Sequence, residues 1–258
     1  MKSSFIAILS AKGGVGKTTT TINLACALHI LGRDVVIVDG DYKKPNIALQ
    51  LGMTNVDKTL HHTLQAEEEI TEVVYAHPSG VKVIPGSLVH EEILGEHHKT
   101  FPDILLPLKG KVELALIDSS PGFTEELDNV LIAADKAILV STPDLTSITD
   151  TLRTKRLCQE RGVEILGVII THTTNATYEI SLSDIELLFD EKVIAEIPFD
   201  ENIKFAQHEK YPVVYINPRA KASIAYKKLA ASLTGQPYEV EKNSWKDIFP
   251  DLLKRIGL

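Results

Sequence analysis

A chain of 258 residues, 44% hydrophobic and 24% charged with 15 Gly and 12 Pro, has ordinary globular usage, which excludes fibrous and disordered classes. Its 27 basic and 35 acidic side chains leave a formal charge of −8, so contact with nucleic acid or anionic lipid would need a local basic patch. The two cysteines, Cys26 and Cys158, lie far apart in apolar helical contexts and offer no disulfide or metal framework.

The first apolar run, 5–9, is too short for a signal peptide or a membrane span, and the chain reads as cytoplasmic. Seven runs read as strands: FIAIL (5–9), VVIV (35–38), VKVIP (81–85), ELALI (113–117), KAILV (136–140), ILGVII (165–170) and VIAEIP (193–198). Most are continuously apolar, as strands covered on both faces are, and the segments between them have room for crossover helices. The expectation is an α/β domain over 1–233, built on a doubly wound, mostly parallel sheet of about seven or eight strands flanked by helices. Such sheets bind ligands at the carboxyl ends of their strands.

Three of those ends carry unusual residues. After the first run stands Ala11-Lys12-Gly13-Gly14-Val15-Gly16-Lys17-Thr18, followed by Thr19 and a buried helical pattern to Leu31. This is a phosphate-binding loop: the glycines let backbone N–H groups turn inward, the helix N-terminus adds positive potential, Lys17 reaches terminal phosphates and the Thr18 hydroxyl suits magnesium. Ala11 replaces an expected glycine, and Lys12 is an additional cation. Lys12 is either a surface lysine or a catalytic group that neutralises charge on a transferring phosphoryl, a role that can be supplied by a partner subunit. The second and fourth runs lead into Asp39-Gly40-Asp41 and Asp118-Ser119-Ser120-Pro121-Gly122. Asp118 fits the magnesium-side acid and Asp41 is placed to orient water or approach the metal, while Asp39 reads as structural.

The segments KGGVGKTTTTINLACAL, VVIVDGD, LALIDSSPG, STPDLTSITDTLRTKRL (141–157) and KVIAEIPFDENIKFAQHEKYPVVYINP (192–218) resemble the MinD branch of the deviant-Walker P-loop NTPases, with archaeal MinD proteins the nearest likeness. The resemblance implies ATP and Mg2+ as cofactors and an ATP-sandwiched homodimer with Lys12 contacting nucleotide across the interface. It also implies Lys17, Thr18 and Thr19 on phosphate and magnesium, Asp41 activating water, and Asp118 as the second Walker acid. Thr171-His172 stands where the family usually offers an asparagine to the adenine edge, so Thr171 is the base-side candidate and the choice of ATP over GTP rests on family alone.

Beyond a linker over 234–243, Ser244 can cap a helix over 244–258 in which Trp245, Ile248, Phe249, Leu252, Leu253 and Ile256 share one face, with Pro250 interrupting it. It resembles the membrane-targeting tail of MinD, and the alternative is an amphipathic helix docked on its own domain. The reading is thus an ATP hydrolase that dimerises on ATP and binds lipid through its tail. It would be peripheral on the inner face of the cell membrane and act in spatial positioning with a protein activator or cargo. Two alternatives stand beside it: a ParA-like DNA partition ATPase, with Arg153, Lys155, Arg156, Lys221, Lys227 and Lys228 gathered in space, and a nucleotide-bound scaffold with negligible turnover. The pairs His61-His62 and His97-His98 read as solvated loop histidines, because no ligand constellation accompanies them.

Overall fold

The computed structural model describes residues 3–93 and 95–238. The expected tail helix, 244–258, lies outside the described residues, as does the second half of the linker, 239–243. Eight strands form one sheet: β1 (Ser4–Leu9), β2 (Val35–Gly40), β3 (Tyr75–Ala76), β4 (Lys82–Ile84), β5 (Leu114–Ser119), β6 (Lys136–Ser141), β7 (Glu164–Thr173) and β8 (Val193–Pro198). Their order is β3-β4-β2-β5-β1-β6-β7-β8, parallel throughout except for the edge pair β3–β4. The seven expected strands are present, and the eighth is the two-residue β3, too short to leave a periodic signal.

Alternation along each strand divides the core in two. Phe5, Ala7 and Leu9 of β1, with Val36 and Val38 of β2, face one side, while Ile6, Ile8, Val35 and Ile37 face the other. Successive strand residues point to opposite faces, so a run apolar at every position needs helices on both.

The helices are α1 (Lys17–Ile30), α2 (Ile47–Gln50), α3 (Leu60–Leu64), α4 (His90–Ile93), α5 (Phe101–Leu105), α6 (Glu125–Ala133), α7 (Leu145–Glu160), α8 (Leu182–Phe189), α9 (Glu201–His208), α10 (Val213–Ile216) and α11 (Lys221–Thr234). Core side chains of α3, α5, α6, α7 and α8 join the Phe5 side, and those of α1, α2, α9, α10 and α11 join the Ile6 side. The helix α1 is buried along most of its length because it packs between the sheet and α11. Gly235, in the left-handed region at φ 65°, caps α11. Among the described residues, no helix is long and apolar enough to cross a membrane.

This architecture corrects two readings. Because α7 and α11 lie on opposite sides of the sheet, Arg153, Lys155 and Arg156 do not gather with Lys221, Lys227 and Lys228. His61 is fully buried on α3 rather than solvated in a loop, with both ring nitrogens hydrogen-bonded.

Candidate functional site

The strand order reverses about β1: the chain leaves it for β2 on one side, returns through β5, and continues to β6 on the other. Ligands bind at such a switch point. A cavity of about 390 Å³ opens there, lined by Lys12, Lys17, Asp41, Thr171 and residues of the glycine loop.

The loop between β1 and α1 is shaped for backbone donation. Gly14 and Gly16 sit at φ +82° and +84°, a region that side chains with a Cβ rarely adopt, and Gly16 is the N-cap of α1. A Cβ built at Gly13 or Gly14 would meet nothing within 4 Å, so the loop borders open space. Val15, 2% exposed, pins the opposite side of the loop into the core. The Thr171 hydroxyl, at the end of β7, donates to the Val15 carbonyl at 2.6 Å, and the neighbouring His172 ring approaches Gly16. Thr171 therefore braces the loop as well as lining the cavity.

Beneath the loop, Lys17 Nζ lies 3.1 Å from Asp118 Oδ1 and also donates to the Ser119 carbonyl. Thr18 Oγ1 donates to Asp118 Oδ2 at 2.5 Å, and Thr21 Oγ1 donates to Oδ1 of the same carboxylate. Lys17 and Asp118 are both nearly inaccessible. A buried ion pair retains a large desolvation cost, so an anionic ligand offers Lys17 an alternative partner. Thr18 and Asp118 supply a hydroxyl and a carboxylate, a donor set of hard oxygens that fits Mg2+. Among the described residues no group of three His, Cys, Asp or Glu is placed to hold a metal ion by itself. Thr19, on the first turn of α1, accepts a hydrogen bond from Gln207 of α9.

Asp39 and Asp118 are register partners on β2 and β5, so they share one face of the sheet. Both acids close their strands rather than following them, as the apolar runs had implied. Asp39 Oδ2 accepts the N–H groups of Asn46 and Ile47, and Oδ1 has no partner. Complete burial, with Asp118 adding repulsion, pushes its carboxyl up to about 8. Asp41 faces the cavity, and burial pushes it up to about 6, with Lys17 opposing the rise and Asp118 adding to it. A carboxyl poised there suits a general base near neutral pH.

Lys12 lies at the mouth of the cavity, where its Nζ is 3.3 Å from Asp144 Oδ1 at the start of α7. Asp144 was not singled out by the sequence, although the strand-end rule that found Asp118 also points to Thr-Pro-Asp after KAILV. Asn46, His172, Phe199 and Gln207 complete the walls. They come from a helix start, the end of β7, a loop and the last turn of α9, without a spacing rule to mark them.

A glycine loop at a β–α junction, closed below by Lys17, Thr18 and Asp118, defines a P-loop nucleotide-binding protein. A family model described as an AAA domain matches residues 3–161, and a second with that description matches residues 118–207. The chain is 35% identical to an ATP-binding protein of Methanocaldococcus jannaschii over 97% of each. It is 27% identical to the septum site-determining protein MinD of Bacillus subtilis over 98% of each. The structure of the septum site-determining protein MinD from Pyrococcus horikoshii, complexed with Mg-ADP, superposes with a TM-score of 0.85 at 32% identity, covering 90% of this chain and 96% of that one. The chain belongs to the MinD branch of the MinD/ParA deviant-Walker P-loop ATPases.

Proposed function

We propose that this protein is an Mg-ATP hydrolase that dimerises through bound nucleotide, holds membrane reversibly through residues 244–258, and resets on hydrolysis in the service of spatial positioning. The observation that carries the reading is the convergence of Lys12, Lys17, Thr18 and Asp41 on one cavity at the strand ends, with Asp118 bonded to Lys17 and Thr18 beneath it. The Mg-ADP bound by the related Pyrococcus protein supports the nucleotide and the metal.

ATP is the substrate. The loop N–H groups of residues 13–19 and Lys17 would hold its phosphates, with Thr18 and Asp118 on the metal side. Bound Mg2+ supplies neutralisation of phosphate charge and orientation of the phosphoryl oxygens. Asp41, ionised, takes a proton from water as its oxygen attacks the γ-phosphorus and the bond to the β–γ bridging oxygen breaks. Charge growing on that leaving oxygen calls for a second cation. Lys12 of the partner copy provides it across the interface once released from its own Asp144, and this chain's Lys12 does the same at the partner's site. Turnover then requires the pair, and two tails on one dimer bind lipid with an avidity that a single tail lacks.

The test is liposome co-sedimentation with ATP and with ADP, comparing the full chain with one ending at Asn243, alongside ATP hydrolysis and sedimentation velocity. The expected result is ATP-dependent pairing, with lipid binding lost on truncation. Equal lipid binding by both chains in every nucleotide state removes the anchor. A salt-sensitive DNA shift with ATP would instead assign the protein to the DNA-partition reading.

A further inference from the structure

The acid proposed as base stands on a loop, and the loop is fastened at its next residue by a histidine from a distant helix. His61 Nε2 lies 2.7 Å from the Tyr42 carbonyl, and its Nδ1 lies 2.9 Å from the Ser87 amide nitrogen. An amide can only donate, so Nδ1 is the bare nitrogen and Nε2 carries the proton that it gives to Tyr42. The ring is therefore neutral, and burial, which lowers it to about 4, keeps it so.

The remaining contacts make this bond a keystone. Leu60, beside His61, donates its N–H to the Pro85 carbonyl at 2.8 Å, tying α3 to the exit of β4. That exit abuts the loop: a Cβ on Gly86 would sit 2.4 Å from Pro45 Cβ. The Tyr42 ring stacks on Phe101 at 5.7 Å between centroids, and its hydroxyl accepts from Asn129. Asp39 holds the far end of the loop through Asn46 and Ile47. These contacts fix the ring of Tyr42 and the end of the loop, and the Lys44 N–H holds the Asp41 carbonyl at 3.0 Å, whereas the carbonyl of Tyr42, the residue after Asp41, is held by His61.

We propose that His61 is a positioning residue for Asp41: by holding the Tyr42 carbonyl it sets the backbone that carries the Asp41 carboxylate into the cavity. This rests on the hydrolytic role proposed for Asp41. The bond joins α3 to the loop that follows β2, so the cost of losing it falls on geometry rather than on nucleotide affinity, and misplacing a catalytic group by about 1 Å can cost up to ~10²-fold in rate.

The two ring contacts can be separated. In His61→Gln the amide reaches the place of Nε2 and can still donate to Tyr42, whereas in His61→Asn it reaches only the place of Nδ1 and can accept from Ser87. His61→Leu removes both contacts. The expected result is that His61→Gln retains most of the turnover, while His61→Asn and His61→Leu lose ~10-fold or more in kcat with KM for ATP within about 2-fold of the parent. Hydrogen exchange over residues 39–47 gives a readout without turnover: the Asn46 and Ile47 amides exchange faster in His61→Asn and His61→Leu than in His61→Gln. Equal kcat and equal exchange in His61→Gln and His61→Asn would overturn the proposal, as would a kcat loss that tracks melting temperature across the three variants. If the unaltered protein does not hydrolyse ATP, the proposed function falls, and the exchange ranking alone then decides whether His61 sets the loop.

Discussion

Lys12 of the phosphate loop and Asp144 at the N-cap of α7 form an ion pair at 3.3 Å within one molecule, and both side chains are more than one-third exposed. Asp144 also accepts the Ser147 N–H at 3.0 Å. Burial alone would raise the Asp144 carboxyl, but the Thr142 hydroxyl, the Ser147 amide and Lys12 together hold it below the usual carboxylate range. The lysine proposed to meet a partner's nucleotide is thus held within its own chain by a bond of modest strength. Exposed pairs contribute about 0.2–1 kcal/mol, an amount that binding of a triphosphate overcomes.

Asp144→Asn keeps a capping side chain and removes the charge that holds Lys12. The expected outcome is ATP-triggered dimerisation strengthened by up to ~5-fold, the equivalent of about 1 kcal/mol, with the melting temperature nearly unchanged. Lys12→Ala should reduce turnover by ~10³-fold or more while leaving monomer affinity for ADP close to its starting value. Sedimentation velocity with a non-hydrolysable ATP analogue checks the first, and steady-state hydrolysis checks the second. Unchanged pairing and turnover in Lys12→Ala would remove the second cation from the mechanism.

Asp41 gives the pH dependence. A base works when ionised, and with its carboxyl raised to about 6 the ionised fraction falls about tenfold per pH unit below that value. The kcat/KM for ATP should therefore rise from pH 5 to pH 7 and then level. Asp41→Ala should abolish this acid limb and lower kcat by ~10² to 10⁴-fold, with ATP still bound. Rates measured from pH 5 to pH 8 on both proteins decide it, and a limb that survives in Asp41→Ala assigns the titration elsewhere.

The central strands and the phosphate loop were legible because each leaves a local mark. Five apolar residues in succession have one stable home, a sheet covered twice, and GGVGKT closes a turn that few other sequences make. The β3 edge was not legible because two residues cannot show a period. His61 was misjudged for a related reason. A histidine beside another reads as polar and solvated, and its surroundings are Tyr42, Ser87 and His97, residues up to 36 positions away that only the folded chain assembles. The pair Lys12–Asp144 spans 132 positions, which no spacing rule covers.

Gly40 tests how tightly Asp41 is set from the strand side. A Cβ there would lie 2.7 Å from the Asp118 carbonyl oxygen and 2.9 Å from methyl carbons of Ile117 and Val130. One of those neighbours is backbone of β5 and cannot swing aside, so Gly40→Ala should push β2 from β5 next to both acids. Overpacking of this kind costs typically ~1–3 kcal/mol. A lowered urea midpoint together with reduced kcat is expected, and a variant as stable and active as the parent would show that the strands have slack.

Asp39 couples folding to pH, and the sign follows from where its proton resides. In the folded chain its carboxyl is raised to about 8, well above the ordinary value near 4, so between those limits the folded state holds a proton that the unfolded chain has released. Stability from this group is greatest near pH 4 and declines as pH rises toward 8, opposite to the trend of a salt-bridged carboxylate. Asp39→Asn replaces the protonated acid with an uncharged side chain of the same shape that still accepts the Asn46 and Ile47 amides. Urea unfolding at pH 5, 6.5 and 8 should give midpoints that fall with pH for the parent more steeply than for Asp39→Asn, with the two closest at pH 5. Parallel midpoints in the two proteins would place the proton of this acid cluster on a group other than Asp39.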